Sequence, residues 1–197
     1  MRPRGRPPST RQVFSFEDAE TPLPAEVLLD TSYIVEALIV SQPHHTAAVN
    51  FLVRLATEDV RIRFSSMLEL ELAETAFQIA LKENHPKDWK RFRHDGRARR
   101  RASRLMTGVE EAWTSVLAYL DYVRIDVDEV IEEVPRLMRA YGLASYDAVH
   151  PATALSADPV GIVTTDVGFC ALPVANTTIF TDSARVARCR ELRARSR

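Results

Sequence analysis

Short apolar runs alternate along this chain with longer stretches whose apolar residues recur every three or four positions. Val27-Leu28-Leu29 and Val160–Thr164 are the short apolar runs, and Arg61–Phe64, Tyr122–Ile125 and Thr177–Phe180 are further short segments, mixed apolar and polar, that read as strands. Runs of this length and continuity predict strands buried on both faces, as in a parallel sheet. Between them lie predicted helices. Tyr33–Val40 carries Ile34, Val35 and Leu38, and Pro43 breaks the pattern. His44–Thr57 turns Val49, Leu52, Val53 and Leu55 inward, and a long helix runs from Ser66 to about Lys82. Ser103–Leu120 places Leu105, Val109, Ala112, Trp113, Val116 and Leu120 at helical spacing. Asp128–Tyr141 ends at Gly142, a C-cap residue type, and Ser145–Ser156 is the last core helix. Strands alternating with helices predict an α/β fold, a parallel sheet with helices on both faces. No internal repeat is present.

The remaining segments divide the chain. Residues 1–25 hold five prolines and few large apolar residues, which predicts a flexible basic arm. Residues 26–182 form the domain, interrupted at about 83–104 by a polar excursion longer than most helix–helix connections. Residues 183–197 read as an Arg-rich tail. Charge follows this division. The 197-residue chain has a net charge of −1, yet residues 82–104 carry ten lysines and arginines against three acids. Residues 1–11 add four arginines without an acid, and 185–197 add six arginines against Glu191. An acidic body with basic appendages suits a polyanionic partner, and the excursion points to nucleic acid. The apolar runs are too short to span a bilayer, and the basic start leads into no hydrophobic stretch of a secretory signal. Cys170 and Cys189 show no metal-type spacing and form no disulfide framework, so the expectation is a cytoplasmic protein with reduced thiols.

Four acids carry the chemistry. Asp30 and Asp166 end predicted strands, where ligands of open parallel sheets bind. Glu71 and Asp147 fall in the first turns of predicted helices. Each has an ordinary explanation alone: turn, cap or helix-dipole partner. Together they would repel in one pocket unless a cation joins them, and oxygen-only ligands suit Mg²⁺ or Mn²⁺. Such a site hydrolyses phosphodiesters. Ser66 and Glu69 have capping-box spacing, which leaves Glu71 as the ligand by elimination. His150, three residues past Asp147, and Thr165 are candidate helpers. Among the cations, Lys90, Arg91, Arg93, Arg97, Arg99, Arg100 and Arg101 are candidate RNA contacts, with Trp89 and Phe92 either stacking on bases or anchoring the excursion. A haloacid-dehalogenase-like phosphatase would need an Asp where Ser32 stands.

These blocks together resemble the PIN-domain ribonucleases, and especially the VapC-like toxins of toxin–antitoxin pairs. Val27-Leu28-Leu29-Asp30-Thr31 is similar to the family's opening strand and first acid; Phe64-Ser65-Ser66 with Glu71 to its second; Tyr146-Asp147-Ala148-Val149-His150-Pro151-Ala152-Thr153-Ala154-Leu155 to its most specific block; and Val163-Thr164-Thr165-Asp166 with Phe169 to its fourth. The resemblance implies a three-layer α/β/α sandwich, a Mg²⁺- or Mn²⁺-dependent endoribonuclease, homodimers and a small antitoxin partner. Three positions depart from the pattern: Ser32 replaces the usual Asn, Gly168 stands where many members carry Asp, and Pro151 replaces an apolar residue. The alternative from another class is a PIN-like scaffold that binds RNA or protein without cutting.

Overall fold

The computed structural model describes residues 12–157, 161–171 and 177–195. Six parallel strands form one sheet in the order β1-β6-β5-β2-β3-β4. They are β1 (Val13–Ser15), β2 (Glu26–Leu29), β3 (Arg61–Ser65), β4 (Tyr122–Ile125), β5 (Gly161–Val163) and β6 (Thr178–Thr181). Successive side chains on a strand face opposite sides, and this alternation separates two cores. Val27, Leu29, Ile62, Phe64, Val163 and Phe180 point to one face. There they meet α1 (Thr31–Leu38), α2 (His45–Thr57), α3 (Ser66–Asn84) and, beyond the short α4 (Trp89–Phe92), the long α5 (Gly96–Leu117). Leu28, Ile162 and Ile179 point to the other face, under α7 (Ser145–Ala157), α8 (Gly168–Ala171) and α9 (Ser183–Arg195). Ile125 joins α6 (Val134–Tyr141) and α7 on that side. The result is a three-layer α/β/α sandwich.

Three sequence expectations change. First, the proline-rich arm is structured where it is described. Val13–Ser15 pairs in parallel with Ile179–Thr181 and forms the sheet edge. Val13 and Phe16 are buried. Its prolines lie outside the three-residue strand, so they cost no ladder hydrogen bond. Residues 1–11 lie outside the described residues. Second, the polar excursion is helical rather than a loop. Asp95 caps α5, accepting hydrogen bonds from the amides of Arg97 at 2.9 Å and Ala98 at 2.8 Å. Arginine is a good helix former, and Ala98, Ala102, Leu105, Val109 and Trp113 continue one apolar seam through the basic stretch. Trp89 packs against Ala80, Leu81 and Ala102, and Phe92 stacks on His85, so both aromatics anchor the corner while staying half-exposed. Third, Cys170 and Cys189 are joined, with S–S 1.98 Å. Packing of α8 on α9 brings their Cα atoms to 5.1 Å, a juxtaposition that 19 residues of separation do not reveal. The expectation of reduced thiols is therefore corrected, and the Arg-rich tail is a helix docked against β1 and α8. Among the described residues, no helix is long and apolar enough to cross a membrane.

Smaller corrections concern caps. Ser65, not Ser66, caps α3 through the Met67 amide, and Glu69 pairs with Arg124 instead of closing a capping box. The Asp128–Tyr141 helix is split: a 3₁₀ turn at Val127–Glu129 precedes α6, where Pro135 occupies a first-turn position that needs no amide donor. Gly142 is the left-handed C-cap, with φ 66°. Gly161 has no room for a side chain, since a Cβ would lie about 3 Å from Phe180, Pro24 and Val27.

The α5 seam should be central to stability. Trp113 is buried edge-on to Phe64, with ring centroids 5.2 Å apart. Trp113→Ala should lower the unfolding free energy in urea by about 3–5 kcal/mol; a cost under about 1 kcal/mol would mean that α5 is not docked on the sheet.

Candidate active site

Strand order reverses direction between β2 and β5, since β3 and β4 lie on one side and β6 and β1 on the other. Crevices open beyond the carboxyl ends of strands at such a point. A cavity of about 610 Å³ lies there, and all four acids line it. Asp30 leaves β2 and caps α1, Asp166 follows β5, Glu71 comes from α3 and Asp147 from the first turn of α7. Segments up to 136 residues apart thus share one wall.

The four differ in setting. Asp30 is buried, at 4% exposure. It accepts hydrogen bonds from the Thr164 hydroxyl at 2.7 Å, from the Ser32 hydroxyl and from the Ser32 amide at 3.3 Å. Thr164 also accepts from the Asp166 amide at 2.9 Å, so one hydroxyl ties the two strand-end acids. Ser32 accepts from the Thr165 amide at 2.9 Å. The serine at the departure from the family pattern therefore fastens β2 to β5. Of the two threonines, Thr164 touches the carboxylate; Thr165 lines the cavity and makes its bond to Ser32 through the backbone. Asp166 is exposed and accepts from the Gly168 amide at 2.7 Å. A Cβ at Gly168 would stand 3.1 Å from that oxygen, so the glycine leaves the carboxylate room. Asp147 is exposed at the cavity mouth.

Glu71 is half-buried. Its Oε2 accepts from the Thr31 hydroxyl at 2.7 Å and lies 2.6 Å from His150 Nε2. His150 thus partners Glu71 rather than Asp147. Burial would raise the Glu71 pKa, but the hydrogen bond and charge of His150, with the Thr31 hydroxyl, leave it below the ordinary value. Burial would lower that of His150, but the hydrogen bond to Glu71 and the charges of Asp30, Glu71 and Asp147 leave it raised.

Sequence reasoning missed Glu36, which lines the cavity at 6% exposure and accepts from the His44 amide at 3.0 Å. The available signal was a lone acid in the otherwise apolar helix 31–38. It also missed Thr31 as the partner of Glu71, and the neutral residues Gln42, Thr75 and Gln78 on the same walls. The basic residues Lys90, Arg91, Arg93, Arg97, Arg99, Arg100 and Arg101 are all exposed on α4, α5 and the turn between them. Arg93 reaches Glu74 at 3.7 Å, and Glu74 lines the cavity, so the basic corner meets its rim.

The donor chemistry of the four acids fits a hard divalent cation. As placed, no three acidic, histidine or cysteine side chains among the described residues are close enough together to hold one. Hydroxyls, His150 and the Gly168 amide hold Asp30, Glu71 and Asp166.

The Glu71–His150 pair should show in metal-free stability. A lowered carboxylate contributes stability above its unfolded pKa and loses it as pH falls through the folded value. A raised histidine contributes below its unfolded pKa and loses it as pH rises through the folded value. Both contributions are present between roughly pH 4.3 and 6.5. In chelator, the melting temperature of wild type minus that of Glu71→Gln should peak in that window and shrink on either side. A difference that is flat with pH would mean that the pair is not ionic.

The model of the PIN domain family matches residues 27–174. No curated protein matches the sequence. The crystal structure of PAE2754 from Pyrobaculum aerophilum is similar at TM-score 0.46 and 18% identity, covering 84% of this chain and 90% of that one. The crystal structure of FitAcB from Neisseria gonorrhoeae is similar at TM-score 0.46 and 21% identity, covering 79% and 96%. A match over most of the chain, with the strand-end acids inside it, makes this chain a member of the PIN-domain family of nucleases.

Proposed function

We propose that this protein is a Mg²⁺- or Mn²⁺-dependent endoribonuclease and the toxin of a toxin–antitoxin pair. One observation carries the nuclease reading: four acids from separate segments line a single cavity at the strand-order switch of a parallel sheet. The toxin reading rests on the resemblance of the 146–155 and 163–169 blocks to VapC-like toxins, and with it come a small antitoxin and a homodimer. Asp30, Glu71, Asp147 and Asp166 are the proposed cation ligands. A bound cation would supply an activated water and offset charge at the scissile phosphate. Thr164 and Ser32 hold Asp30, while Thr31 and His150 hold Glu71, so two ligands start from fixed positions. The scaffold reading draws on the unconverged carboxylates, and a metal titration separates the two.

Each of Asp30→Asn, Asp147→Asn and Asp166→Asn should lower Mg²⁺-dependent RNA cleavage at least about a hundredfold, beyond what substitution of a residue supporting a ligand costs. Melting curves should remain cooperative. Expression of the wild type without its antitoxin should arrest growth, and that of Asp30→Asn should not. Wild-type cleavage by the Asp147→Asn protein would remove the proposed ligand set.

An acidic cavity repels a polyanion, and the exposed cations of α4 and α5 offset that repulsion. Their phosphate contacts release counterions, by about 0.7 per phosphate for single strands. Replacing Arg97, Arg99, Arg100 and Arg101 by Ala should weaken RNA binding and flatten its dependence on salt. Affinity measured at several salt concentrations decides this: identical slopes would take the helix off the RNA path and assign it to a protein partner.

A further inference from the structure

On α3, Glu71, Glu74, Thr75 and Gln78 all line the cavity, spaced as one face of a helix. They are not chemically alike. Glu71 is held by Thr31 and His150, and Glu74 faces Arg93 and accepts from Gln78 Nε2 at 3.1 Å. The Gln78 carbonyl oxygen and the Thr75 hydroxyl make no hydrogen bond among the described residues. Gln42 faces the same space from the turn between α1 and α2, and its side-chain amide also makes none. That turn is held: the Gln42 backbone N–H donates to Ile39 O at 2.9 Å, and Glu36 accepts from the His44 backbone N–H. Gln42 and Gln78 are half-buried, and Glu74 holds the Gln78 amide.

Half-buried neutral amides bring no charge toward a cation or a phosphate, while their unused donors and acceptors remain available for hydrogen bonds. They suit the edge of a nucleobase, which presents donors and acceptors side by side. Single-stranded RNA is read in this way, with unstacked bases hydrogen-bonded along their edges. Position agrees with chemistry. Following α3 from its start, the cavity presents the carboxylates of Glu71 and Glu74 and then the neutral Thr75 and Gln78, and Arg93 of the α4–α5 corner meets the rim at Glu74. Glu71 and Gln78 are about 10 Å apart along the helix axis. A cavity of about 610 Å³ is in the range that takes a small organic ligand.

We infer that Gln42, Thr75 and Gln78 form a base-reading subsite, which takes the nucleobase next to the scissile phosphate of single-stranded RNA and sets the cut-site preference. This rests on the ribonuclease reading above. A pool of randomised single-stranded RNA, cut with Mg²⁺ and sequenced at the new ends, tests it. The wild type should favour one base beside the cut by at least about fivefold, the lower end of what a paired amide contact discriminates. The Gln42→Ala/Gln78→Ala protein should still cut, with that preference reduced below about twofold. Thr75→Val, which removes only a hydroxyl, should reduce it in part, and it repeats the test if the double variant fails to fold. Unchanged preference in the variants, or a wild type that cuts without preference, overturns the subsite and leaves the nuclease standing. A wild type that cuts no RNA overturns the nuclease reading, and the subsite with it.

Discussion

A carboxylate buried at the end of a central strand must be satisfied, and the geometry of this site follows from how Asp30 is satisfied. At 4% exposure it cannot rely on water. The Thr164 hydroxyl reaches across from β5, and Ser32 supplies a hydroxyl and an amide from α1. Those bonds fix the first turn of α1 and the exit of β5 relative to each other. Thr31 is then placed to hold Glu71, and Asp166 is placed by its amide bond to Thr164. One buried charge thus sets the position of two other acids. Asp147 stands apart: it is exposed, it sits on a helix of the opposite layer, and no hydrogen bond joins it to this network.

Much of this was legible in the sequence because the signals were local. Short apolar or β-branched segments identified five of the six strands, and the acid at the end of an apolar run marked the crevice. The strand Val13–Ser15 was not legible, since three residues beside prolines carry no periodicity and exist as a strand only through pairing with β6. The basic stretch was read as a loop because arginine density was taken for solvation. The apolar seam at Ala98, Ala102 and Leu105 was already there, written in small residues. The disulfide and the Glu71–His150 contact join residues 19 and 79 apart, and only the packed layers bring such pairs together. Glu71 itself emerged by elimination on a capping-box reading that the structure replaces, so that route to a residue of the cavity wall was partly fortuitous.

The longest thread through the molecule is α3. Its second and third turns bring Glu71 and Glu74 to the cavity, and its last turn lies against Trp89 and α5, with Lys82 over the Trp89 ring at 5.0 Å. A packed helix sets the distance between the acid-lined cavity and the exposed cations of α4 and α5. Had residues 83–104 been a flexible loop, its cations could have folded back onto the acids and neutralised them. Asp95 and the Ala98–Trp113 seam prevent this by building the arginines into a helix packed along α3. The cavity acids and the α4–α5 cations are thereby kept apart, and among the described residues the one ion pair that joins the two groups is Arg93 with Glu74, at the cavity rim.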